Sequence, residues 1–239
     1  YEGIDARRLV VSSQNHDQIG NRMYGRRLSQ LVDFEKLKLA AACIFLSPFT
    51  PFLFMGEELA TEQPFLYFVD HHDPDLIKAV QEGRKREFQA FAWKGEPPDP
   101  ASMETFESCV LKNKNPDPGS KCGVMTAYYK RLIGLSKQLR GRYLLHPDGY
   151  DVIYDEKSRQ ISLQNIDGKD SFAVIFNFAE EEQPCSVGDF SEEGWEIVLQ
   201  SQDYVENALD FPVKKLNGKE SLTLSGYSAT VLMRSQEPS

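Results

Sequence analysis

A short apolar run, Leu9-Val10-Val11, breaks into the polar stretch Gln14-Asn15-His16-Asp17-Gln18-Ile19-Gly20-Asn21. A β-branched run that ends abruptly in ionisable residues predicts a buried strand delivering side chains to a site at its C-terminal end. Neighbouring residues on a strand point to opposite faces, so His16 and Asp17 share a pocket only where the chain turns, and the stretch reads as a strand tip. After a polar segment holding Arg22, Arg26 and Arg27, Asp33 stands where a helix cap belongs. From there Leu37, Ala40, Ala41, Ile44 and Phe45 recur at helical spacing, with Glu35 in the first turn. Ser47-Pro48 ends that helix, and Pro51-Phe52-Leu53-Phe54-Met55 is a second apolar run, closed by Gly56-Glu57-Glu58. Strand, helix and strand in this order predict one βα unit leading into another.

The connection that follows, from about Leu59 to Met125, is long enough to carry structure of its own. Asp73 caps and Pro74 opens a helix over 75–90 in which Leu76, Val80, Phe88 and Phe91 share a face, and Gly95 to Pro100 is rich in turn residues. A helix over 126–139 places Tyr128, Leu132, Leu135 and Leu139 on one side, with Gly141 as its stop. Beyond Tyr143 the period changes to two. Ile161 to Gln164, Phe172 to Phe178, Trp195 to Leu199, Leu222 to Leu224 and Ala229 to Met233 read as strands, punctuated by Gly168, Gly194, Gly218 and Gly226. The pattern thus divides the chain into an α/β part over 1–143 and an antiparallel β-sandwich over 144–239.

Composition narrows the chemistry. With 239 residues, 41% of them hydrophobic, the chain buries a sizeable core. A net charge of −9 without any basic block argues against nucleic acid and anionic membrane surfaces as partners. Arg84-Lys85-Arg86, flanked by Glu82 and Glu87, reads as a solvated or salt-bridged helix face. The four cysteines, Cys43, Cys109, Cys122 and Cys185, form no Cys-x-x-Cys pair, which predicts reduced thiols in a cytoplasmic protein and neither a zinc site nor a disulfide framework. His71-His72-Asp73 has the right residue types for a metal, but consecutive residues rarely face one ion and Asp73 already serves as a cap; no cofactor is expected. No run is long enough to span a membrane, and a chain that starts at Tyr1 and enters a core strand almost at once reads as truncated. A neutral polyol such as a sugar suits this charge balance, as do many other ligands.

On local residues alone His16-Asp17 is more often a turn in which the Asp side chain binds its own backbone. With its context, the stretch Gln14 to Asn21 resembles the fourth signature region of the α-amylase superfamily, glycoside hydrolase family 13. Leu53 to Glu58, Pro64 to His71, Val80 to Phe91 with its Glu82-Gly83-Arg84-Lys85-Arg86-Glu87-Phe88, Asp99-Pro100 and Thr105-Phe106 resemble the trehalose-releasing members of that superfamily. The resemblance covers most of residues 5–140. It departs at Cys109, where those members carry Lys after the Ser of a Thr-Phe-x-x-Ser segment.

The resemblance implies that 1–143 is the C-terminal portion of a catalytic (β/α)8 barrel, strands seven and eight with a long insertion, and that 144–239 is the C-terminal β-sandwich domain. It implies a retaining hydrolase cutting the α-1,4 bond beside the trehalose end of maltooligosyltrehalose. Asp17 is then the stabiliser of the transition state, while His16, Gln18, Asn15 and Glu57 bind substrate. The nucleophile and the acid/base lie upstream of Tyr1, so the chain alone is expected to be inactive. For Glu57 a solvated or Arg-paired carboxylate is an equal alternative. Phe65, Tyr67 and Phe68 either stack on sugar rings or form a core of the inserted loop. The expected partners are maltooligosyltrehalose or a related α-glucan and the missing N-terminal barrel portion of the same chain. Without that portion, the unpaired strand edges must add to another sheet, pair between chains in self-association, or rearrange. Two other readings remain: a different glucan enzyme of the superfamily, such as a branching enzyme or amylase, and a non-catalytic carbohydrate-binding module. The latter requires an exposed aromatic pair on a sheet face, for which Trp195 with Tyr204 or Tyr227 are the candidates.

Overall fold

The computed structural model describes residues 5–90, 95–112, 115–142, 149–166, 171–216 and 221–234. In chain order the elements are β1 (Val10–Val11), α1 (His16–Gly20), α2 (Phe34–Phe45), β2 (Thr50–Pro51), α3 (Pro74–Ala90), α4 (Met103–Ser108) and α5 (Lys121–Arg142). There follow β3 (Asp151–Asp155), β4 (Gln160–Asn165), β5 (Phe172–Asn177), β6 (Gln183–Pro184), β7 (Trp195–Gln200), β8 (Lys214–Lys215), β9 (Thr223–Leu224) and β10 (Ser228–Arg234). They divide into two compact units, one of Tyr1–Val11, Asp33–Phe52 and Pro116–Ser239, the other of Ser12–Val32 and Leu53–Asn115. Tyr143, Phe91, Gly168 and Gly218, used in the sequence reading, lie outside the described residues.

In the first unit β1 and β2 pair in parallel, Val10 opposite Thr50 and Val11 opposite Pro51, with α2 between them in sequence. The β–α–β order read from the sequence is present, but its first strand is not buried. Val10 is 65% exposed, because β1 and β2 form a sheet of two strands among the described residues. Only the first residue of the second apolar run belongs to β2, and Phe52 beyond it is exposed.

Helix α2 starts as expected: the Asp33 carboxylate accepts the Lys36 N–H at 2.9 Å. Leu37, Ala41 and Phe45 are buried, whereas Ala40 and Ile44 are only half-buried, because the inward stripe runs through Lys38 instead. The Lys38 ammonium is fully buried and donates to the carbonyls of Ser201 at 2.7 Å and Tyr204 at 2.9 Å, while Glu35 closes the cluster at 2.8 Å. Burial holds its pKa below the ordinary lysine value, and the Glu35 carboxylate opposes that shift. Helix α5 begins at Lys121 rather than 126, because the Ser120 hydroxyl accepts the Gly123 N–H at 3.1 Å. It runs through Gly141, which is therefore no stop. Tyr128, Leu132, Leu135 and Leu139 are buried as expected, and Phe45 of α2 meets Tyr129 edge-on with ring centroids 5.6 Å apart.

The remaining strands build a six-stranded antiparallel sheet in the order β3-β4-β5-β10-β7-β8, with β6 and β9 paired separately. Central β10 places Val231 opposite Val174 on one side and Leu199 on the other, and a bulge follows Val231 on the β7 side. Ala173, Ile175, Trp195, Ile197 and Leu232 pack with Val187, Phe190, Leu222 and Leu224 into one apolar cluster. Strand β3 escaped the sequence reading because Val152, Ile153 and Tyr154 are all exposed, so no alternation marks it. Strand β4 does not alternate as expected: Gln160, Ser162 and Gln164 are buried along with Leu163, and Ile161 faces out. Its polar groups have partners there. Gln160 accepts the Ser186 N–H at 2.8 Å and Ser162 donates to the Val187 carbonyl at 3.0 Å. Trp195 and Tyr204 are core residues, and Tyr227 is half-buried with the Lys36 ammonium 4.3 Å above its ring, so none of the three makes the exposed pair that a binding module required.

Replacing Lys38 by Ala strands two buried carbonyls, each costing about 1–3 kcal/mol without a donor, so Lys38→Ala is expected to lower stability by roughly 2–5 kcal/mol. Urea unfolding midpoints with an unchanged slope measure this, and a loss below about 1 kcal/mol would show that the ammonium is not the link.

Candidate functional site

The second unit is built from two loops, residues 12–32 and 53–115. Where a turn at a strand tip was expected, the chain forms the short helix α1. Asn15 is its cap: the Asn15 side chain accepts the Asp17 N–H at 2.8 Å, and the Gln18 side chain reaches back to accept the Asn15 N–H at 2.8 Å. This reciprocal pair is a capping box, satisfying backbone donors that a helix start leaves open. It holds Asn15 and Gln18, and it places His16 and Asp17 side by side in the first turn. Their side chains are 66% and 69% exposed, with His16 Nε2 and Asp17 Oδ1 3.3 Å apart.

Directly before the helix the chain turns inward. Gln14 is buried and its side-chain oxygen accepts the Leu28 N–H at 2.9 Å. Glu57 is 7% exposed, and it accepts from the Ser13 hydroxyl at 3.2 Å and bonds the Gln14 side chain. Removal from water pushes its pKa up from 4.5 to about 7, despite the opposing hydrogen bonds from Gln14 and Ser13. Glu57 is thus neither a solvated carboxylate nor a surface group, and it bonds the two residues, Ser13 and Gln14, that precede Asn15. Ser13 and Gln14 had no local signal as its partners, since 44 positions separate Ser13 from Glu57.

Arg27, named in the sequence only as part of a polar segment, is buried as well. It is 1% exposed, with Nε donating to the Gln63 carbonyl at 2.6 Å and Nη1 to the Met55 carbonyl at 2.7 Å, while its guanidinium lies 5.3 Å from the Phe54 ring centre. Gly25, at φ 57°, brings its carbonyl to the Phe65 N–H at 3.0 Å, and a Cβ there would stand 2.8 Å from the Phe65 backbone. The inserted loop is thereby laid against the residues that follow α1.

The aromatic residues of the loop divide. Phe65 packs edge-on against Phe54 at 5.1 Å and Phe68 at 5.7 Å, and Phe68 continues to Phe106 at 5.2 Å, so these two form the loop's own core. Tyr67 is exposed beneath the Arg84 guanidinium, 4.7 Å from its ring centre. Asp73 caps α3 as expected, accepting from Asp75 N–H at 2.9 Å. Of α3's expected apolar face only Phe88 is buried; Leu76 is exposed and Val80 half-buried. Cys109 is buried, its sulfur accepting the Leu66 N–H at 3.1 Å, a contact a lysine would not make. Among the described residues no group of three or more His, Cys, Asp or Glu is arranged to hold a metal ion, and no helix is long and apolar enough to cross a membrane.

Comparison with known proteins shows what the chain is similar to. The malto-oligosyltrehalose trehalohydrolase of Saccharolobus solfataricus is 45% identical over 135 residues, which is 56% of this chain and 22% of the relative. The protein of that name from Rhizobium sp. is 35% identical over 208 residues, 86% of this chain and 33% of the relative. Relatives in Brevibacterium helvolum, Arthrobacter ramosus, Mycobacterium tuberculosis and Deinococcus radiodurans carry the same name. The chain spans about a fifth to a third of the length of these curated relatives. A crystal structure of a candidate α-amylase from Salmonella typhimurium superposes with a TM-score of 0.72 at 27% identity, covering 98% of this chain and 36% of that one. An Anoxybacillus α-amylase shares the fold, with a TM-score of 0.53 at 17% identity over 97% of this chain and 39% of its own. No family model matches.

The buried carboxyl of Glu57 has a measurable consequence. Its folded-state pKa of about 7 exceeds the unfolded 4.5, so the native state holds the proton longer and loses stability as pH rises from 4.5 towards 7. A displacement of that size corresponds to a span of roughly 3 kcal/mol. Glu57→Gln, which keeps an acceptor for Ser13, is expected to be the more stable form at pH 8 and to lose most of that slope. Urea unfolding at pH 5 and pH 8 checks this; parallel curves for the two proteins would sink it.

Proposed function

We propose, for a chain that belongs to the α-amylase family and is a relative of the malto-oligosyltrehalose trehalohydrolases, that it is the C-terminal part of a retaining α-glycosidase releasing trehalose from maltooligosyltrehalose. The observation that carries the reading is that relatives of that one name match between 53% and 86% of the chain. Retaining hydrolysis of a glycosidic bond uses one carboxyl to protonate the leaving oxygen and a second to attack the anomeric carbon, through a transition state with oxocarbenium character. In this reading both lie on the part of the relatives that precedes the present chain. The chain contributes Asp17. Exposed at the start of α1, its carboxylate accepts from sugar hydroxyls and binds them more tightly as the ring flattens. An interaction realised in the transition state raises kcat, and one such contact contributes roughly 3 kcal/mol.

His16, 3.3 Å from Asp17, is placed to donate to a neighbouring hydroxyl. Asn15 and Gln18 serve the same pair by holding the turn that carries it, and Glu57 supports Ser13 and Gln14 below. Residues 1–143 are then the end of the (β/α)8 barrel, with β1 and β2 as strands seven and eight, and 144–239 the C-terminal β-sandwich. The partner of the open β1–β2 pair is the remainder of the barrel; without it, the same edges are available to a second copy. Four cysteines without a disulfide suit a reducing, cytoplasmic setting.

The test is trehalose release from maltooligosyltrehalose by the full-length enzyme. Asp17→Asn is expected to lower kcat by at least about 10²-fold with a smaller change in KM, since the lost contact belongs to the transition state. Turnover of glycogen or plain maltooligosaccharides without trehalose would move the protein to a sister activity, and trehalose release by residues 1–239 alone would overturn the assignment of the two remaining carboxyls.

A further inference from the structure

The run Arg84-Lys85-Arg86 behaves in two ways. Lys85 and Arg86 are exposed, in keeping with a solvated helix face, but the Arg84 side chain is turned in and only 13% exposed. Its guanidinium lies between two rings, 4.7 Å from the centre of Tyr67 and 4.7 Å from that of Phe88. From there Nη2 donates to the Gly20 carbonyl at 2.7 Å and Nη1 to the Asn21 side-chain oxygen at 3.1 Å, while Glu87 holds Nη1 from the other side at 2.8 Å. Gly20 is the last residue of α1 and Asn21 its C-cap. A cation fits a helix C-terminus, whose carbonyls lack intrahelical partners.

Helix α1 has five residues, about one and a half turns. One end carries His16 and Asp17; the other is clasped by Arg84, which comes from α3 in the inserted loop, 64 positions away. So short a helix moves as one body, so displacing its last carbonyl displaces its first turn. We infer that Arg84 is a positioning residue, fixing through the C-terminal end of α1 the aim of the His16–Asp17 pair. The inference rests on the role proposed above for Asp17. It also accounts for the insertion, since α3 supplies the clasp while Tyr67 and Phe88 hold the guanidinium plane in place. Planarity and the donor fork make the site specific for arginine over lysine.

The experiment uses the full-length enzyme. Misplacement of a catalytic group by about 1 Å costs on the order of 10²-fold, so Arg84→Met is expected to lower kcat by about that factor with KM nearly unchanged. Arg84→Lys, which keeps the charge and can reach one acceptor, recovers part of the loss. In an Asp17→Asn background, Arg84→Met adds less than about threefold, because two residues acting through one contact are not additive. A full multiplicative loss in that background, or an effect on KM alone, would overturn the inference. Amide exchange at Ile19 and Asn21 is the second readout, expected to accelerate in Arg84→Met; unchanged exchange also overturns it. Should Arg84→Met not fold, Arg84→Lys carries the same comparisons, with intermediate values expected. If the wild type releases no trehalose, the functional reading fails, and amide exchange still decides whether Arg84 holds α1.

Discussion

A buried backbone carbonyl needs a donor, and where no backbone N–H is in reach a side chain can supply it. In this protein it comes again and again from a cation. Arg27 serves the carbonyls of Met55 and Gln63, and Arg84 that of Gly20. In the other unit Lys38 serves Ser201 and Tyr204, Arg131 serves Val198 at 2.7 Å, and Arg140 serves Ser47 at 2.9 Å, Pro48 at 3.1 Å and Phe49. Long stems let these residues cross apolar surroundings, and several donors on one head let a single side chain serve two or three carbonyls. An acidic chain of net charge −9 therefore keeps part of its positive charge inside.

At its base the candidate site is held by neutral and acidic side chains instead. His16 and Asp17 are exposed, so nothing packs their side chains into place; the order comes from below and behind. The capping box sets the first turn of α1, and Gln14 with Glu57 anchors the segment before it. Exposure at the tip and burial at the base separate the group that meets a ligand from the groups that hold it.

Hydrophobic period made much of the architecture legible. Helix α2 begins at its Asp33 cap, α3 at Pro74, and β5, β7 and β10 stand where alternation and β-branched runs place them. Period fails where the inward residue is polar. Lys38 interrupts the apolar stripe of α2, and β4 turns Gln160 and Ser162 inward because the chain around Pro184 to Val187 offers them partners. Such partners lie more than twenty positions away and leave no local trace. His16 and Asp17 stood out in the sequence as candidate residues; the buried Glu57 bonded to Ser13 and the turned-in Arg84 bonded to Gly20 and Asn21 did not, since either looks like any surface charge in the sequence.

The second unit is discontinuous: residues 12–32 and 53–115 enclose a stretch, 33–52, that belongs elsewhere. Its defining bonds span long loops, 36 positions from Arg27 to Gln63 and 64 from Arg84 to Gly20. Ordering α1 therefore waits on loop closure, and the entropic cost of that closure precedes the contacts that offset it. During synthesis the Asp17 segment leaves the ribosome well before α3 exists to hold it, so the local sequence around the site is made early and its shape late.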